Sequence, residues 1–169
     1  MIAVRIAKLV MVALLAAFAF IVTFDNVVDF GANYAFVQHV LSMDTTFSDA
    51  LRYRAITDPA LWRSAYIAII AAEGLTCIAF GIGTLALLRN LRAPAVRFAR
   101  AKRFVAAGAA LAFALWFGGF MVVGGEWFAM WQSKIWNGQE SAFRFYITAV
   151  AVLIFVNQPD AELARTTAR

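Results

Sequence analysis

Four apolar stretches, each about long enough to cross a bilayer as an α-helix, constrain this chain more than any other feature of its sequence. A helix rises 1.5 Å per residue, so about 20 predominantly apolar residues span roughly 30 Å of hydrocarbon. Stretches at about 5–24, 60–88, 97–124 and 142–157 meet or approach that length. The composition points the same way, since 63% of the 169 residues are hydrophobic and the mean hydropathy is +0.76. Only 15% are charged, too few to coat a soluble domain of this size. The expected fold is all-α: one integral membrane domain over residues 1–169, built as a bundle of four transmembrane helices.

The first stretch follows Arg5 and Lys8 and also suits a signal peptide with Ala17-Phe18-Ala19 at its cleavage site; it is read here as a retained helix. The connection at 25–58 is too long for a tight turn and should carry structure of its own. Within it, Phe36, Val37, Val40 and Leu41 fall at helical spacing and predict a short amphipathic helix over Asn33 to Met43, on the membrane surface or over the bundle mouth. Thr46 and Asp49 approximate a capping box, which predicts another short helix from Phe47 through Arg54. Asp58-Pro59 opens the second span, because Asp caps free amides and Pro tolerates the first helical position. The second connection, 89–96, is basic, and Pro94 marks the next helix start. Span three ends at Gly124-Gly125, and the connection at 125–141 carries Trp127, Trp131 and Trp136 at interfacial positions.

Charge asymmetry predicts orientation. Ten Lys and Arg flank the termini and the second connection (Arg5, Lys8, Arg89, Arg92, Arg97, Arg100, Lys102, Arg103, Arg165, Arg169). Five lie in the other connections or beside them (Arg52, Arg54, Arg63, Lys134, Arg144). The bias places both termini in the cytoplasm of a bacterial inner membrane, with 25–58 and 125–141 packed together as an extracytoplasmic cap. Arg97, Arg100 and Arg103 are candidates for anionic lipid headgroups, so the net charge of +5 is a topology signal and implies no nucleic-acid partner.

Chemistry-bearing residues are few. Glu73 lies well inside the second apolar stretch, where an ionisable group is a functional candidate by default. The competing structural reading is a protonated carboxyl, near Thr76, hydrogen-bonded across the bundle to pin two helices. His39 and Asp44, with Trp127, Trp131 and Trp136, form a candidate extracytoplasmic binding surface for a lipid headgroup, a quinone or a partner subunit. Interfacial anchoring explains the same rings without a ligand. One His cannot supply both axial ligands of a haem from one chain, and no metal-ligand cluster is visible, so neither cofactor nor metal is expected. Cys77 is single and reads as a packing residue. Gly74, Gly81, Gly83, Gly108, Gly118 and Gly119 permit close helix contact, either within the chain or with another protein.

The blocks Asn33-Tyr-Ala-Phe-Val-Gln-His-Val-Leu-Ser-Met-Asp-Thr-Thr-Phe47, Arg54-Ala-Ile-Thr-Asp-Pro-Ala-Leu-Trp62 and Trp116 through Glu140 resemble a bacterial family of predicted small integral membrane proteins, domain of unknown function 2165. The resemblance implies a four-helix membrane protein and carries no activity, cofactor or catalytic residue. With no converging catalytic groups, the leading expectation is a non-enzymatic accessory or assembly subunit that binds other membrane proteins or a second copy. The alternatives are a lipid- or quinone-binding protein, or a small transporter or channel subunit using Glu73.

Overall fold

The computed structural model describes residues 2–162, and among them there is no strand. Helix α1 (Ile2–Val28) breaks at Asp29 and is followed by α2 (Phe30–Ser42). Next come α3 (Pro59–Arg89), α4 (Ala95–Ala101), α5 (Arg103–Phe113) and, after the third connection, α6 (Gln139–Asn157). Helix α5 runs on into a π-helical segment, Ala114–Trp127. Four candidate spans result: Ile2–Val28, Pro59–Arg89, Ala95–Trp127 and Gln139–Asn157.

Local chemistry sets these boundaries. Asp58 accepts a hydrogen bond from the Ala60 amide at 2.8 Å and Pro59 occupies the first helical position, as expected for the start of α3. Helix α2 stops at Met43, whose φ of 52° is left-handed. The helix expected from Phe47 is absent, and only one 3₁₀ turn, Arg52–Arg54, forms there. Its presumed capping groups are engaged elsewhere. Thr46 Oγ1 donates to the Met43 carbonyl at 2.8 Å, Asp49 pairs with Arg52 at 3.0 Å, and the Ser48 amide donates to Gln132 Oε1 at 3.1 Å.

The spans close a ring in the order α1, α3, α5 with its π-helical extension, and α6, which returns to α1. Val12, Phe80, Leu87, Phe98, Val105, Trp116, Val152 and Val156 fill its centre. Two glycines permit close approach between α3 and α5. A Cβ on Gly108 would lie 2.7 Å from the Phe80 ring, and one on Gly83 would lie 3.2 Å from the Val105 backbone nitrogen. These glycines pack within the chain, whereas Gly81 and Gly118 have nothing within 4 Å.

At the end of the bundle that holds the first and last described residues, Arg5, Lys8 and Lys102 are buried. Arg5 donates to the carbonyls of Leu91 at 3.1 Å, Ala93 at 2.6 Å and Ala161 at 3.2 Å, and lies over the Phe98 ring. Lys8 donates to the Gln158 carbonyl at 2.6 Å and to Asp160 at 2.9 Å, and Lys102 bonds the same two residues. Three of the bases counted toward orientation are therefore also structural ties holding α1, α4, α5 and the chain after α6 together. Arg165 and Arg169 lie outside the described residues.

Candidate functional site

The opposite end of the bundle contains a cavity of about 520 Å³. Its walls come from every span: Val22, Asp25 and Asn26 on α1, Ile69 and Glu73 on α3, Trp116 and Phe120 on the π-helical segment, and Ser141, Ala142 and Phe145 on α6. Helix α2 closes over it with Asn33, Phe36 and Val37, and the third connection adds Trp136 and Asn137. The π-helical segment follows an i→i+5 pattern, in which the Phe128 amide donates to the Val123 carbonyl at 3.0 Å. Trp116, Phe120 and Gly124 then line cavities on successive turns.

A buried polar chain stands in its wall. Glu73 is 3% exposed, and its Oε2 accepts from Asn26 Nδ2 at 2.8 Å. Asn26 Oδ1 in turn accepts from Asn33 Nδ2 at 2.6 Å and from the Tyr66 hydroxyl at 3.3 Å, while the same hydroxyl reaches the Asn26 carbonyl at 3.1 Å. Glu73 thus joins α3 to α1 through Asn26. Its partner is not Thr76, whose Oγ1 donates back to the Ala72 carbonyl at 2.8 Å. Among the described residues, Glu73 Oε1 has no hydrogen-bond donor. Asn26, Asn33 and Tyr66 were not singled out from sequence. The available signal was their spacing: Tyr66 and Glu73 lie seven residues apart on α3, and Asn26 follows Asp25 where the first apolar stretch ends.

A second, apolar groove of about 280 Å³ adjoins the first and shares Phe36, Val37, Ile69 and Phe120 with it. Val40, Leu41, Ala65, Ala68, Val123 and Met130 complete most of its lining.

The five residues proposed as a surface fall into three local pairings. His39 Nδ1 lies 2.7 Å from Asp44 Oδ2, and the His39 ring stacks on Trp136 at 4.5 Å between centroids. Trp131 meets Phe47 edge to face at 5.8 Å. Trp127 lies under the Arg54 guanidinium at 4.5 Å, and its carbonyl accepts from Arg54 Nη1 at 3.2 Å. The first and third connections therefore touch, helped by Thr45 Oγ1 donating to Ser133 Oγ at 2.9 Å. These contacts leave Phe47, Trp127 and Trp131 substantially exposed. Arg97, Arg100 and Arg103 are exposed on α4 and the start of α5, without an ion pair among the described residues. No group of three or more His, Cys, Asp or Glu able to hold a metal occurs among the described residues.

A family model described as predicted small integral membrane protein, domain of unknown function 2165, matches residues 4–159. Comparison with curated proteins and with solved structures found no match.

Proposed function

The chain belongs to the family of predicted small integral membrane proteins designated domain of unknown function 2165, and from that premise we propose that it binds a small amphipathic molecule in the cavity beside Glu73. The observation that carries this reading is the cavity itself. It has the volume of a ligand site, mostly apolar walls, and a few convergent polar groups anchored by a buried carboxyl. Such an arrangement binds and orients; it suits a binding protein better than a catalyst, since no nucleophile and base converge on it.

In the proposed orientation both termini are cytoplasmic in a bacterial inner membrane, and the cavity opens on the far side. The exposed Arg89, Arg92, Arg97, Arg100 and Arg103 support it, all lying toward the end of the termini. Counting along the helices, Glu73 stands roughly 24 Å from Arg89 and Asn26 roughly 27 Å from Lys8. The polar chain would then sit near the outer boundary of a hydrocarbon layer about 30 Å thick, where a ligand can enter from water or from the outer leaflet.

Purification in a mild uncharged detergent followed by mass spectrometry tests the reading. A small molecule should be retained in stoichiometric amount and lost in Ser141→Trp, which places an indole at the cavity mouth without touching the buried core. Recovery of the protein without any such molecule, under conditions that preserve annular lipid, would count against it.

A second reading, an accessory subunit for another membrane protein, is favoured by exposed apolar groups in the two connections: Phe47 at 75%, Tyr53 at 77% and Ile135 at 77%. Its mark would be a stoichiometric partner protein released by Phe47→Ala combined with Trp131→Ala.

A further inference from the structure

The cavity's lining has a charge character that narrows its ligand. It includes two carboxylates, Asp25 and Glu73, and no Lys, Arg or His. The rings of Phe36, Trp116, Phe120, Trp136 and Phe145 add aromatic faces to the lining. Carboxylates with aromatic faces and without bases form an environment that attracts cations and repels anions, because ring quadrupoles add to the carboxylate field. Glu73 Oε1 takes no donor from the described residues, and Glu73 lines the cavity. An unfilled acceptor in such surroundings favours an incoming N–H or a positive charge. The adjoining apolar groove shares Phe36, Val37, Ile69 and Phe120 with this space.

We infer that the ligand is an amphipathic organic cation, its ammonium head beside Glu73 and Asp25 and its apolar tail lying across the Phe36–Phe120 wall in the groove. This rests on the ligand-binding reading above and deepens it. A cation at Oε1 supplies the counter-charge that a carboxylate in low-dielectric surroundings otherwise lacks. A zwitterionic phospholipid fits less well, since its phosphate would find no base in the lining. The same ammonium chemistry is found in free long-chain amines and in lysolipid-like molecules with cationic heads, which share the head and differ in origin.

The test compares three probes of equal chain length on the full chain in uncharged nanodiscs: decyltrimethylammonium, decyl sulfate and decanol. Quenching of tryptophan fluorescence, to which Trp116 and Trp136 contribute from the cavity wall, reports occupancy. Decyltrimethylammonium should bind saturably, with the other two at least about tenfold weaker. Glu73→Gln should weaken the cation at least about tenfold and leave decanol unchanged. Asp25→Asn, at an exposed position, should weaken the cation by a smaller factor and guards against a folding defect in the first variant. Equal binding of all three probes, abolished by Ser141→Trp, would overturn the cation inference while leaving the ligand site standing. Absence of saturable binding by any probe would overturn both.

Discussion

Replacing Gly108 with alanine should destabilise the bundle relative to the same change at Gly81, although both glycines lie inside long helices. In isolation each substitution favours the helix by about 0.5–1 kcal/mol, because glycine has more backbone freedom to lose. At Gly81 nothing lies within 4 Å of the new Cβ, so that gain should appear undiminished. At Gly108 the new Cβ would lie 2.7, 2.8 and 2.9 Å from three atoms of the Phe80 ring. The ring is 2% exposed and packed in the core, so it cannot swing away freely. Overpacking of this kind costs about 1–3 kcal/mol, which sets the expected gap between the two variants. The gap corresponds to about 5- to 150-fold in the unfolding equilibrium constant. Reversible unfolding in mixed micelles, titrated with a denaturing detergent and followed by circular dichroism, measures it. Phe80→Leu combined with Gly108→Ala should recover part of the loss. Equal stability of the two single variants would show that α3 and α5 do not pack as described.

Asp160→Ala should cost about 3–5 kcal/mol, because it leaves the buried Lys8 and Lys102 ammonium groups without their shared carboxylate. Acid should imitate it: burial alone would raise the Asp160 carboxyl, but hydrogen bonds and charge from Lys102 and Lys8 hold it below the ordinary carboxylate value of 3.8. Stability from this contact is therefore complete above about pH 4 and lost as pH falls through the lower folded-state value, and Asp160→Asn should remove that acid-dependent part of the unfolding curve. Glu73→Gln should insert and fold normally, since an amide can still accept from Asn26 at the position of Oε2; failure to accumulate in the membrane would refute the neutral replacement. Alkaline phosphatase fused after Arg169 should be inactive in an expressing bacterium, and full activity there would reverse the proposed orientation.

The spans were legible because twenty-residue apolar runs have few alternatives, and Asp58-Pro59 announced its helix start through a cap that forms as expected. The helix proposed from Phe47 was not, because Thr46 and Ser48 found better partners in Met43 and in Gln132, the latter 84 residues away. The bases at Arg5, Lys8 and Lys102 read as flanking charges, since local sequence cannot show that carbonyls at 91, 93 and 161 meet Arg5, or that Asp160 and the Gln158 carbonyl meet the two lysines. Glu73 stood out from its apolar surroundings, but its partner did not: Asn26 is 47 residues away on another helix. Trp116 and Phe120 line the cavity from a π-helical segment, 114–127, which carries no period visible against a uniformly apolar run.

Accessibility at position 73 tests most directly the claim that a cavity open on the far side of the membrane leads to this residue. In a Cys77→Ala background, Glu73→Cys should react with a membrane-impermeant cationic methanethiosulfonate added to the outside of spheroplasts, and Ser141→Trp should slow the reaction. A cysteine at 73 that labels only after denaturation, or only from the cytoplasmic side, would contradict the account.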